Sequence, residues 1–194
     1  MKKNIYYSLL ISAMVSVSAA EETRQVDKHE HGVGELNIAI EGNAIDFEFF
    51  IPGADIVGFE YEAKTESDIA LVNAALEKFE NFDNIFSLPE SSNCNLVNSE
   101  IGINQDDEHD EHDDHDEHDD HDEHDEHDEE AHNEFVAHYS FNCGNIKEID
   151  RISFPYFTTF PNSGELEVQF VSEIGSTSFE VEGDEPFIDL KGKI

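Results

Sequence analysis

Residues 106–130 read DDEHDEHDDHDEHDDHDEHDEHDEE. All 25 side chains are Asp, Glu or His, giving 18 carboxylates and 7 imidazoles. His109, His112, His115, His118, His121, His124 and His127 recur at every third position. Neutral imidazole is a strong ligand for zinc, copper and nickel. The carboxylates add oxygen donors and a field that concentrates divalent cations. That field also favours the protonated imidazole, so protons compete with metal. Calcium would use the carboxylates and leave the imidazoles idle. With like charges throughout and no apolar residue, the tract cannot bury a core and is expected to be disordered without a ligand. Each capture must then order backbone, which weakens the hold on any one ion. The pattern predicts several modest Zn(II) sites, a reservoir or collecting arm. A merely solvating acidic spacer would have no need of His at fixed spacing.

Four further histidines lie outside the tract. His29 and His31 form an HxH just before Gly32. In an extended strand they project from one face, about 6.6 Å apart along the backbone, close enough to share an ion. Two solvated histidines would give the same dipeptide pattern. His132 and His138 share parity with Glu134, opposite Phe135 and Tyr139, so both fall on the polar face of a strand. The four would form a tighter site if the two segments meet, and the sequence alone leaves that open. No HExxH, GxSxG or Gly-rich phosphate loop is present. Acidic pairs carry little information in so acidic a chain, and enzyme action is not expected.

The charge balance narrows the partners. The net charge is −37, and the tract supplies 18 of those negative charges. Nucleic acid and anionic lipid would be repelled, whereas cations are the natural counterpart. Lys2 and Lys3, the apolar run from Ile5 to Val17 and the small residues Ser18-Ala19-Ala20 read as a secretory signal peptide cleaved after Ala20. The run is short for a bilayer span, and no Cys follows the cleavage site to carry a lipid anchor. The expectation is an exported, soluble periplasmic protein without a membrane anchor. Cys94 and Cys143 are the two cysteines, and an oxidising compartment favours a disulfide between them. Thiolate metal ligation is the alternative, usually seen with closer CxxC spacing. A bridge would enclose the tract at its base.

The elements that must position these groups are legible as period-two and period-3.6 patterns. Leu36, Ile38 and Ile40 alternate with polar residues, as do Ile45, Phe47, Phe49 and Ile51, across the turn signal Gly42-Asn43. This predicts a β-hairpin with one buried face, ended by Pro52-Gly53. Thr65-Glu66-Ser67-Asp68 resembles a capping box, followed by Ile69, Val72, Leu76 and Phe79 at helical spacing, which predicts a helix from about Glu66 to Phe82. Pro89 and Ser91-Ser92-Asn93 mark a loop. Phe135 to Cys143 alternates as a strand. Leu166, Val168 and Phe170 form another strand, and Phe179 with Val181 and Phe187 to Leu190 suggest two more. Ile149 to Phe160, interrupted by Pro155, resists assignment. Gly34-Glu35-Leu36 and Gly164-Glu165-Leu166 echo one another and hint at a repeated hairpin. The fold class is α+β, mainly an antiparallel sheet with one or two helices and a disordered His/Asp/Glu-rich insertion. The expected organisation is a signal peptide over 1–20 and one core formed by 21–104 and 132–194, interrupted by the metal-binding insertion at 105–131.

Several segments resemble the ZrgA family of periplasmic zinc-binding proteins. They are His29-Glu30-His31-Gly32, GELNIAIEGNAIDFEFFIPGADIVGFE (Gly34 to Glu60), Asn93-Cys94-Asn95-Leu96, AHYSFNC (Ala137 to Cys143) and FPYFTTFPNSGELEVQF (Phe154 to Phe170). The HEHG start with the GFE segment is the most specific part, and the likeness covers nearly the whole mature chain. It implies assistance in zinc acquisition, with Zn(II) passed towards a zinc ABC importer or its solute-binding protein. It also implies zinc ligation by core histidines, best matched by His29 and His31 and less closely by His132 and His138. The family pattern often has His after GFE, where this chain has Tyr61. Rival readings are a periplasmic protein for nickel or copper, an acidic non-catalytic interaction protein, and a zinc hydrolase, which would need an open metal site and a general base.

Overall fold

A computed structural model describes residues 32–105 and 133–194. Its centre is a six-stranded sheet in the order β3-β4-β2-β1-β6-β7. Strands β1 (Val33–Glu41) and β2 (Ala44–Pro52) form the expected hairpin, pairing from Glu35↔Phe50 to Glu41↔Ala44. Gly42 takes φ 58°, the positive value that a two-residue hairpin turn favours at its first position. Pro52 is the last residue of β2, and Gly53 opens the one-turn helix α1 (Gly53–Val57).

Helix α2 (Glu66–Glu80) starts where the capping residues place it, with the Asp68 amide donating to Thr65 Oγ1 at 3.1 Å. It ends two residues earlier than expected, and Phe82–Asn84 instead form a 3₁₀ turn. Val72, Ala75 and Phe79 face the core, whereas Ile69 is 44% exposed, so the buried stripe begins one turn later than the apolar spacing suggested.

Strands β3 (Cys94–Gln105) and β4 (Asn133–Cys143) bracket the insertion. The β4 alternation was legible, and β3 was not. β3 is an edge strand, largely exposed on both faces and kinked by a register shift between Leu96 and Asn98, so it needs no apolar alternation. Cys94 and Cys143 are disulfide-bonded and face each other across the two strands. The bridge is not at the base of the tract. The insertion leaves from the other end of this ladder, at Gln105↔Asn133, about 34 Å from the disulfide for ten residues of extended strand.

The unassigned stretch resolves into β5 (Arg151–Ser153) and the single turn α3 (Tyr156–Thr159). β6 (Glu165–Ser172), β7 (Gly175–Glu182) and β8 (Phe187–Asp189) complete the chain, with β5 and β8 forming a separate pair. β6 runs parallel to β1, the single parallel pairing in a sheet that is otherwise antiparallel. The two Gly-Glu-Leu echoes lie side by side, two residues out of register, with Gly34 opposite Leu166. One sheet face, including Ile38, Phe47, Tyr139 and Phe170, is buried under α2, α3 and an aromatic cluster around Phe86. The other face carries Glu35, Asn37, Glu48, His138, Glu167 and Glu180. Among the described residues no helix is long and apolar enough to cross a membrane.

Candidate metal site

Strand direction decides which histidine-bearing segments approach one another. β4 and β1 are both antiparallel to β2, and β6 is parallel to β1. β1, β4 and β6 therefore begin at the same end of the sheet, and β2 finishes there. Glu134 lies opposite Pro52, and Val33 opposite Glu165. Adjacent strands sit about 4.8 Å apart, so the starts of β1 and β4, with β2 between them, are about 10 Å apart.

Four backbone segments lock together at this end. Gly32 is held on both sides: its amide donates to Asp55 Oδ1 at 2.9 Å, and its carbonyl accepts from the amides of Gly164 and Glu165 at 3.0 and 2.8 Å. At φ 90° it turns the chain into β1 through a conformation that glycine adopts at low cost. Gly53 lets β4 pack close, because a Cβ there would lie 2.6 Å from the Phe59 carbonyl oxygen and 2.9 Å from that of Asn133. The Asn133 amide donates to the Glu60 carbonyl at 2.8 Å, and its side-chain nitrogen donates to the Tyr61 carbonyl. Tyr61 itself is exposed, stacked on Phe59 with ring centroids 4.5 Å apart.

Two polar side chains are buried here. Asp55, on α1, is 4% exposed, and Asn133 is 3% exposed. Asp55 adds a negative charge beside Tyr156, whose hydroxyl accepts from Ser163 Oγ at 2.7 Å. Burial first, and then that carboxylate, push the Tyr156 phenol well above its ordinary range, with the Ser163 bond opposing them, so it stays a neutral hydroxyl. Asn133 Oδ1 has no hydrogen-bond partner among the described residues. With Asp55, Glu60, Glu134 and Glu165 close by in sequence or register, this end of the sheet carries a negative field.

Most of the expected ligands fall outside the described residues: His29, His31, His132 and the tract histidines His109, His112, His115, His118, His121, His124 and His127. Two of them, His31 and His132, have a described chain neighbour. Gly32 follows His31, Asn133 follows His132, and both belong to the locked end. His138 stands apart, five residues along β4 and about 17 Å away. It lies on the polar face, with Glu48 and Glu100 opposite it on the two neighbouring strands and Asp46 Oδ1 4.0 Å from its Nε2. Among the described residues no three His, Cys, Asp or Glu side chains are grouped to hold a metal ion. Both cysteines are in the disulfide, which removes the thiolate alternative. Sequence reasoning missed Asp55 and Asn133, since one Asp among so many acids carries no signal. The closest available hint was Asp55 inside the GADIVGFE segment, whose two ends frame this site.

A family model described as ZrgA family zinc uptake protein matches residues 28–190. No curated protein matches the chain.

Proposed function

This chain belongs to the ZrgA family of zinc uptake proteins, and from that premise we propose that it is a periplasmic zinc-binding protein. It captures and buffers Zn(II) and passes the ion towards an ABC-type importer, without catalysis. His31 and His29 hold one ion most firmly, with His132 as the nearest further imidazole. The histidines of 109–127 gather additional ions more weakly. Transfer between them proceeds by ligand exchange, one imidazole replacing another, so a bare ion is never released.

One observation carries this reading: the backbone positions that follow His31 and His132, Gly32 and Asn133, are fixed at one end of the sheet. A peptide link spans 3.8 Å between consecutive Cα atoms, so each histidine is tethered close to that end. Two imidazoles whose strands start about 10 Å apart can converge on one tetrahedral zinc. The regular His spacing of the tract and the negative field favour several further ions over one.

Calorimetric titration of the mature protein with zinc, with and without residues 106–130, tests the division of labour. The full chain takes up several equivalents, and the shortened chain retains a single tight one. Equal stoichiometry in both would remove the reservoir, and loss of all binding in the shortened chain would remove the core site.

A further inference from the structure

The sheet ends on one side in β3, and among the described residues no strand pairs beyond it. An edge strand offers unpaired amides and carbonyls to any other strand, so exposed edges usually carry charges, proline or a bulge. The other edge, β7, closes on Glu180-Val181-Glu182, with carboxylates on both sides of the valine. β3 has its bulge between Leu96 and Asn98, and beyond it residues 98–104 pair with β4 in unbroken register. That stretch reads Asn-Ser-Glu-Ile-Gly-Ile-Asn, and Glu100 is its one charge in a chain that is 29% charged. Another acidic chain meets little repulsion here. The Cys143 amide donates to the Asn43 carbonyl at 2.8 Å, on the β2 side of β4. Alternation along an antiparallel strand then points the peptide groups of Ser140, His138, Val136 and Glu134 towards β3, where they meet Asn98, Glu100, Gly102 and Asn104. Ser99, Ile101 and Ile103 between them turn their N–H and C=O groups to the open side.

We propose that this open edge pairs with its counterpart on a second copy of the chain, antiparallel about a two-fold axis at Ile101. Residues with outward peptide groups must bond across the axis, so the available registers set Ser99, Ile101 and Ile103 against one another. Charge selects among them. Ser99 opposite Ile101 would bring Glu100 against Glu100 of the second copy, a like-charge pair that weakens a ladder. Ile101 opposite Ile101 sets Glu100 against Gly102 instead, and a Cβ added at Gly102 would meet open space. This register also uses all three outward residues, with Ser99 and Ile103 bonded to each other on either side of the axis. The two half-buried Ile101 side chains become neighbours on the core side of the joined sheet. The same register keeps the acidic tracts apart. Gln105 falls level with the second copy's Val97, so the two mouths lie about 27 Å from each other along the joined strands. That gap is about three Debye lengths at physiological salt, and the insertions leave from opposite ends.

The test is sedimentation of the full mature chain in chelator, which removes metal bridging between tracts, over a range of protein and salt concentrations. The sedimentation coefficient rises with protein concentration. It rises further with salt, which screens the repulsion between two chains of net charge −37. Ser99 is exposed, and Ser99→Pro removes an outward amide while sparing the bonds to β4. It weakens association by roughly tenfold or more, since the two-fold axis doubles the loss of hydrogen bonds, and leaves the urea midpoint close to the parent's. Ser99→Ala keeps the amide and associates like the parent. Single cysteines read the register: Ile101→Cys links two copies through a disulfide across the axis. Gly102→Cys stays unlinked, because its symmetry mate lies diagonally at about 8 Å, beyond the reach of a disulfide. A chain that stays monomeric at every protein and salt concentration overturns the proposal. So does a dimer that Ser99→Pro leaves intact, or one that links through Gly102→Cys and not through Ile101→Cys.

Discussion

Removing the disulfide, by Cys94→Ala with Cys143→Ala or by reduction, should cost stability without touching the metal. The bridge closes a sequence separation of 49 residues. In the chain-entropy account a loop of about 50 residues contributes about 4 kcal/mol by restricting the unfolded chain. A domain of this size is stable by about 5–15 kcal/mol, so the variant stays folded but with much of its margin gone. At an m-value of about 2 kcal/mol/M in urea, the midpoint falls by about 2 M. The proposed metal site is spared for a geometric reason. Cys94↔Cys143 is the first pair of the β3–β4 ladder and Gln105↔Asn133 the last, with nine register pairs between them. Those backbone pairs, together with the Asn133 bonds to Glu60 and Tyr61, hold the mouth of the insertion without help from the bridge. The assay is urea unfolding followed by circular dichroism in the presence of chelator, because bound zinc would itself raise the midpoint. Zinc titration of the folded variant then completes the comparison. A folded variant that loses its tight zinc equivalent would refute the argument, since it would mean that the bridge positions the site from the far end. A midpoint shift well under 1 M would refute the energetic half.

Tyr61→His introduces an imidazole after GFE, at a position joined through its carbonyl to Asn133. It should tighten the first zinc equivalent by roughly tenfold or more, since it would add an imidazole donor beside the segment that carries Asn133, and chelator competition reads the change. His138→Ala should leave that equivalent unaltered, because His138 sits about 17 Å along β4 from Asn133; a clear loss would draw the site onto the polar sheet face. Tyr139→Phe removes a buried bond from the Tyr139 hydroxyl to the Phe79 carbonyl at 2.5 Å. It should lower the unfolding free energy by about 1–3 kcal/mol by leaving that carbonyl unsatisfied, with zinc stoichiometry unchanged, as denaturation and calorimetry would show.

How much of this was legible in the sequence depended on which physical signal each element leaves. Strands buried on one face announced themselves: Ile45, Phe47, Phe49 and Ile51 alternate because a strand turns every second side chain towards α2 and the aromatic cluster. The start of α2 was legible from Thr65, whose hydroxyl has a local task, while its buried stripe was misplaced by a turn because Ile69 is apolar yet exposed. β3 left no signal, since an edge strand packs little on either side. Nor could the parallel join of β1 to β6 be read from alternation, which is blind to strand direction, although the Gly-Glu-Leu echo marked the two segments that meet. For the proposed metal binding, the tract histidines and the HxH were picked out by residue type alone. Asp55 and Asn133 were not, because what distinguishes them is burial beside Gly32 and Gly53, a property of packing that composition hides in a chain with 47 acids.

The position of the insertion matters as much as its composition. Two other hairpin connections, Gly42-Asn43 between β1 and β2 and the two residues between Ser172 and Gly175, turn at the opposite end of the sheet and are tight. The β3–β4 connection opens at the end where β1 begins. Because Gln105 and Asn133 are paired, the insertion must return to where it left. No tract histidine is more than 13 residues from one of those anchors. An extended chain of that length spans at most about 45 Å, so every tract imidazole has the end of the sheet within reach. A tether on that scale holds its ligands at an effective concentration of order millimolar, far above what free protein would supply. Exchange from tract to core is therefore intramolecular in the proposed mechanism, and Glu134 and Glu165 carry negative charge at the end of the sheet where β1 begins. The same 25 residues placed in the β6–β7 turn would keep their capacity for zinc but deliver it to the wrong end of the molecule.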